Sequence, residues 1–176
     1  VLSVVFSNMF KFDVEYFPVY LLSGQLIFNF FNEATTNAMG AIVMNGPLIK
    51  KIYVPKYMFV LSRIFSSSIN LLASFTAMIF VMLAMRVELH YTVLLAPIPL
   101  LFIVFFSLGV GLILSAITVK FRDIMHLYSV FVTALMYLTP VIYPMSILPE
   151  WLKKIVLLNP LTNILTMFRN VMINNM

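Results

Sequence analysis

Cysteine is absent from these 176 residues, which excludes disulfides, thiol nucleophiles and Cys-ligated metal sites. Charge is scarce as well. Asp, Glu, Lys and Arg together make up 10% of the chain, against roughly 25% in an ordinary soluble domain. No Gly-x-x-x-x-Gly-Lys-Ser/Thr loop occurs, so the chain has no P-loop for ATP. It has no His-Glu-x-x-His, no Asp-rich metal cluster and no nucleophile elbow. The two histidines, His90 and His126, fall toward opposite sides of the predicted helices and are badly placed to share a metal. No catalytic constellation rises above background, and the chain is read as a non-enzyme.

Apolar residues, by contrast, make up 62% of the sequence, with 17 Phe and 13 Met. A soluble domain of this length cannot bury so much apolar surface. Lipid removes the difficulty, because there apolar side chains match the solvent. The net charge of +5 is spread along loops between apolar runs, which speaks for membrane topology rather than nucleic acid. The expected fold class is all-α, a polytopic transmembrane helical bundle.

A helix needs about 20 residues to cross the hydrocarbon core. Residues 1–10 are too short and read as the end of a first span, so the chain looks truncated there, and also at its C-terminal end. Residues 18–44 form the second span, 61–85 the third, 92–119 the fourth and 124–143 the fifth. Pro97 and Pro99 lie near the start of the fourth, and Gly109 and Gly111 permit close packing further along. Pro140 and Pro144 should end the fifth helix early. Residues 144–170 are too broken to span. Trp151, Lys153 and Lys154 make their first part amphipathic, and Asn159-Pro160 interrupts the rest. The segment reads as interfacial or re-entrant, with Tyr143, Pro144, Trp151, Asn159 and Pro160 as candidate outer-gate residues.

The second span is the least apolar. Gln25, Asn29, Asn32, Glu33, Thr36 and Asn37 recur in steps of three and four, which puts them on one helical face. Such a stripe should face a pore or another helix. Gln25, Asn29, Asn32, Glu33 and Thr36 are therefore candidate translocation-path residues. Ser66, Ser67, Ser68, Asn70 and Ser74 in the third span suit close helix packing. Phe17, Tyr20, Tyr91, Tyr143 and Trp151 resemble an interfacial aromatic belt.

Residues 45–60 combine Lys50, Lys51 and Lys56 with Leu48, Ile49, Ile52, Tyr53 and Val54 between Pro47 and Pro55. A plain solvated loop has no reason to carry those apolar side chains, so this surface suits docking onto a partner protein. With Arg63 and the short Lys120-Phe121-Arg122-Asp123 loop, it forms the base-dense side, which base density assigns to the cytoplasm.

Several of these segments together resemble the ABC-2 type permeases that export polysaccharides. The carriers are Asn45-Gly46-Pro47-Leu48-Ile49-Lys50-Lys51-Ile52-Tyr53-Val54-Pro55-Lys56, Leu22-Ser23-Gly24, and Asn29-Phe30-Phe31-Asn32-Glu33-Ala34. Lys120-Phe121-Arg122-Asp123, Thr139-Pro140-Val141-Ile142-Tyr143-Pro144 and Leu158-Asn159-Pro160-Leu161 follow in the order expected of that family. The resemblance implies six spans per subunit (a type V exporter-like bundle lacking span six here), a permease homodimer, and separate ABC ATPase subunits that hold ATP and Mg. This chain would bind no cofactor itself. Leu48, Ile49, Lys50, Lys51, Ile52, Tyr53, Pro55 and Lys56 would meet the ATPase, and Arg122 and Asp123 would lie in a cytoplasmic loop. The implied substrate is a lipid-linked polysaccharide such as teichoic acid, O-antigen or capsular polysaccharide, and the implied location is the cytoplasmic (inner) membrane. An ABC-2 drug or lipid exporter is the alternative within transport.

Overall fold

The computed structural model describes residues 17–51, 53–87, 91–145 and 148–174. Residues 1–10, Ile52 and His90, which figure in the sequence reading, lie outside that set. The described residues form helices and turns. In order they are α1 (Phe17–Met44), α2 (Gly46–Ile49), α3 (Tyr57–Ala84), a 3₁₀ turn (Tyr91–Leu95), α4 (Pro97–Lys120), α5 (Ile124–Leu138), α6 (Glu150–Leu157), α7 (Pro160–Arg169) and a π-helical turn (Asn170–Asn174).

Two helical stretches, Tyr57–Ala84 and Tyr91–Lys120, are long and apolar enough to cross a membrane. With 28 residues, α1 is about 42 Å long, but its polar stripe makes it less apolar. The fifth apolar stretch ends earlier than the expected 124–143: α5 is a 15-residue helix of about 22 Å. Thr139 leaves the helix with φ −86° and ψ 132°, the extended conformation that the ring of Pro140 imposes on the residue before it. The third helix starts at Tyr57 rather than 61, directly after Pro55 and Lys56.

The helix α1 is central and packs chiefly on α3 and α4. Its contact with α4 runs along small residues. A Cβ placed on Gly111 would lie 2.8 Å from the Cβ of Ala38, so only glycine allows the two backbones to come this close. Gly109 behaves differently from the sequence expectation, because the space beside it is open. One apolar cluster joins Val19, Leu26, Phe30 and Ala34 of α1 to Leu71 and Met78 of α3, Leu100 and Ile103 of α4, and Leu161 and Phe168 of α7. A second joins Phe28 and Met39 to Tyr128 and Val132 of α5.

The turn after α3 is a Schellman closure. Val87 N–H donates to Met82 O at 3.1 Å and Arg86 N–H to Leu83 O at 3.1 Å, with Arg86 in the left-handed region at φ 54°. At the other end of the bundle, the one-turn α2 and the Lys120–Asp123 turn lie where α1 and α4 finish and α3 and α5 begin. The two base-dense loops thus share one end, and the broken α6–α7 segment occupies the opposite end.

Candidate functional site: a polar groove and a buried arginine

Burial divides the helices by polarity in opposite ways. The exposed side chains of α3, α4 and α5 include Phe65, Leu72, Phe80, Phe102, Phe105, Ile113, Leu127 and Phe131. Such surface fits lipid. In α1 the only exposed large apolar side chain is Met44, at its last residue. Its exposed positions are Asn29, Asn32, Glu33, Thr36 and Asn37, with Gln25 half-buried. The six residues read from the sequence as one stripe do form one open face.

That face is shared by two grooves. One, of about 290 Å³, lies between α1 and α3 and is lined by Gln25, Asn29, Glu33, Asn70 and Ser74 among others. The second, of about 710 Å³, lies between α1 and α5 and is lined by Asn29, Asn32, Glu33, Thr36, Ser129 and Thr133 with several methionines. Asn29 and Glu33 border both.

Glu33 is not bare. Asn70 Nδ2 donates to its Oε1 at 2.9 Å, and Ser67 Oγ donates to the same oxygen at 3.2 Å. Asn37 Nδ2 in turn donates to Ser67 Oγ at 3.5 Å. Ser67 and Asn70, read from the sequence as packing residues, are therefore the polar partners of the stripe's acid. Their spacing of three residues on α3 was the available signal. Thr35, on the buried side of α1, donates to Phe31 O at 2.7 Å and accepts from Tyr128 Oη at 2.6 Å, which ties α5 to α1.

The opposite end holds a feature that the sequence reading passed over. Arg169 is 5% exposed. Its Nη1 donates to Pro140 O at 2.7 Å, and its Nη2 donates to Val141 O at 2.9 Å and Tyr20 O at 3.2 Å. Its Nε donates to Ser23 Oγ at 3.3 Å, and the guanidinium lies 3.5 Å from the centre of the Tyr20 ring. The five guanidinium N–H groups favour several carbonyls converging from different elements, which an ammonium cannot satisfy in the same fork. Gly24 makes room for this: a Cβ there would lie 2.6 Å from Arg169 Nη2 and 2.7 Å from Val141 O. Tyr20 is accordingly a stacking partner of Arg169 rather than a free belt residue, and Phe17 is buried rather than exposed.

Of the expected outer-gate residues, Tyr143 and Asn159 join this region. Tyr20 Oη donates to Tyr143 O at 3.3 Å, and Tyr143 Oη donates to Tyr137 O at 2.7 Å. Asn159 caps α7 by accepting from Leu161 N–H at 3.1 Å, while its Nδ2 donates to Thr139 Oγ1 at 3.0 Å. Pro160 occupies the first turn of α7, where its missing N–H costs nothing. Pro144 is half-buried beside Tyr143, and Trp151 points outward at 65% exposure, away from the cluster.

At the end carrying α2, Leu48, Tyr53, Val54 and Tyr57 are exposed beside exposed Lys50, Lys51, Pro55 and Lys56, with Ile49 half-buried. Arg122 and Asp123 are exposed in the turn between α4 and α5.

The apolar exposed faces of α3, α4 and α5, beside the open polar face of α1, fit a helical membrane protein. Residues 1–173 match the ABC-2 type transporter family, and the chain belongs to it. Among curated proteins it is similar to two O-antigen export system permease proteins, RfbA, of Klebsiella pneumoniae, each 25% identical over 174 residues, covering 97% of this chain and 66% of the relative. It is also similar to the O-antigen export system permease protein RfbA of Myxococcus xanthus, 27% identical over 170 residues, covering 96% of this chain and 65% of the relative. The chain thus spans just under two thirds of the length of these relatives.

Proposed function

We propose that this chain is the membrane part of a permease subunit that exports lipid-linked polysaccharide of the O-antigen type across the cytoplasmic membrane, driven by a separate ABC ATPase. The observation that carries this reading is the reversed polarity of α1. In a bundle whose other long helices expose Phe, Leu and Ile, this helix exposes amides, a hydroxyl and a carboxylate along a groove. Leaving those groups against lipid would cost several kcal/mol each, whereas a hydrated path accommodates them. The relatives named for O-antigen export support the choice of cargo class.

In this arrangement Gln25, Asn29, Asn32, Glu33 and Thr36 line the path. The protruding 45–60 segment, with Leu48, Ile49, Lys50, Lys51, Ile52, Tyr53, Pro55 and Lys56, docks on the ATPase, which carries ATP and Mg. Exposed apolar residues set among lysines suit a protein groove. Arg122 and Asp123 lie on the same cytoplasmic side. Tyr143, Pro144, Trp151, Asn159 and Pro160 belong to the outer re-entrant region. Two permease copies complete the channel, and the four segments 18–44, 61–85, 92–119 and 124–143 serve as its membrane-inserted elements.

The lack of cysteine makes the test direct. In the full-length chain, with any cysteine outside these residues replaced, single cysteines at Asn29, Asn32 and Thr36 are compared with single cysteines at Phe105 and Phe131. A membrane-impermeant thiol reagent should label the first set in the presence of ATPase and ATP and leave the second unlabelled. Equal labelling of both sets would show that the stripe does not line a water-filled path.

A further inference from the structure

Given the translocation path proposed above, we infer that the groove between α1 and α5 selects an uncharged, hydroxyl-rich glycan and disfavours a phosphodiester-linked polyanion. The argument starts from charge. Among the described residues lining the two grooves, Glu33 is the one acid, and there is no Lys, Arg or His. The bases among the described residues lie elsewhere: Lys50, Lys51, Lys56, Arg63, Lys120 and Arg122 toward one end of the bundle, Arg86, Lys153 and Lys154 toward the other. Arg169, the base buried at the outer end, has four of its five N–H donors committed to Ser23 and the carbonyls of Tyr20, Pro140 and Val141. A phosphate needs charge-assisted donors to leave water, and the described lining of this groove presents none. A fixed carboxylate on the wall adds repulsion, strengthened where the surroundings lower the dielectric.

The remaining lining groups match hydroxyls. Asn29, which lines this groove, carries no side-chain hydrogen bond to the described residues, so both faces of its amide, donor and acceptor, stand unpaired among them. Glu33 uses one oxygen for Asn70 and Ser67, which leaves Oε2 as an acceptor that an incoming O–H can meet. Asn32 lines the same groove, its Oδ1 accepting from Thr36 Oγ1 at 3.3 Å. A sugar hydroxyl both donates and accepts, so a ring carrying several satisfies such a wall without a counter-charge. The methionines of the same groove offer soft apolar contact to the C–H faces of a ring while adapting to its shape.

The test uses the full-length permease with its ATPase in membrane vesicles and a photocrosslinking amino acid at Thr133 or Ser129. Two lipid-linked probes of equal length are offered, a neutral hexose oligomer and a polyglycerol-phosphate oligomer. The neutral probe should be captured at both positions, with the polyanion captured roughly tenfold less, the effect of one like charge about 10 Å away at an intermediate dielectric. Glu33→Gln should narrow that ratio and Glu33→Lys reverse it, with ATPase co-purification confirming assembly. Equal or better capture of the polyanion by the parent protein overturns the charge selection but leaves the groove as a path. Capture of neither probe while export continues overturns the path itself. Capture of a second permease copy in place of either probe makes the groove a subunit contact and overturns both.

Discussion

Arg169→Met is the most informative perturbation of the fold, because it removes a buried cation that holds three separate parts of the chain together. The guanidinium ties α7 to the N-terminal end of α1 through Tyr20 and Ser23, and to the segment after α5 through Pro140 and Val141. Tyr20 O also accepts from Ser23 Oγ at 2.7 Å, so it keeps a partner when the arginine is lost. The carbonyls of Pro140 and Val141 would lose the donors that Arg169 supplies. Each orphaned buried acceptor costs roughly 1–3 kcal/mol. The lost guanidinium–ring contact adds about 1–2 kcal/mol. The native arrangement also carries the desolvation of a buried cation, relieved here by carbonyl dipoles just past the end of α5 rather than by a carboxylate. That relief is incomplete, so the net destabilisation is expected near the lower part of the sum, roughly 3–4 kcal/mol. Arg169→Lys should recover less than half, since one ammonium cannot serve the carbonyls of Pro140, Val141 and Tyr20 in the fork that the guanidinium uses. The assay is thermal unfolding of the purified full-length protein in lipid nanodiscs, paired with thiol labelling of a single cysteine at Val141, which is fully buried in the parent. Arg169→Met should lower the transition temperature and expose position 141. An unchanged transition with position 141 still protected would refute the clamp.

Other substitutions test the packing and the caps. Gly111→Ala should destabilise by about 1–3 kcal/mol, because its Cβ would meet that of Ala38 at 2.8 Å, whereas Gly109→Ala, with open space beside it, should be neutral or stabilise by up to about 1 kcal/mol through helix propensity; thermal unfolding of the two single variants reads the difference, and equal effects would contradict it. Asn159→Ala removes the cap of α7 and the bond to Thr139, so a loss of about 1–2 kcal/mol is expected, with faster proteolysis between α5 and α7 as the local readout. Arg86→Gly should raise stability by roughly 0.5–1 kcal/mol, because φ is 54° there and glycine adopts that region without a steric penalty; a drop in transition temperature would show that the Arg86 side chain matters more than its backbone.

The parts legible in the sequence were those set by local rules. Pro140 and Asn159-Pro160 act on the backbone within a residue or two, and the breaks at Thr139 and Asn159 follow from them. The stripe from Gln25 to Asn37 was legible because helical period alone decides which side chains share a face. The partners of that face were not. Glu33 meets Ser67 and Asn70 at separations of 34 and 37 residues, and no periodicity within α1 says which residues of α3 stand opposite. Arg169 was missed for the same reason and one more. Its contacts with Ser23 and Tyr20 span 146 and 149 residues, and loop bases in a membrane chain are ordinarily read as topology signals. Gly24 and Gly111 look alike as helix glycines, yet one yields space to a guanidinium and the other to a neighbouring helix.

Polarity itself carries different information in this chain than in a soluble one. In water the hydrophobic effect sorts each amphipathic helix, so an exposed polar face is the default. Lipid removes that sorting, because the solvent is as apolar as the buried face. For α3, α4 and α5 the exposed face can then be Phe, Leu and Ile, and small residues turn inward among apolar ones: Ser67 with Ile64 and Leu71 on α3, and Ser107, Gly111 and Ser115 with Leu100 and Ile103 on α4. Under those conditions an exposed polar face is the exception that needs a cause. Among the described residues no packing partner supplies one for Asn29, Asn32 and Thr36, which stand open beside a groove. Water or a polar cargo in that groove, the path proposed above, would supply it. The same residues on the outside of a soluble bundle would carry no functional message at all.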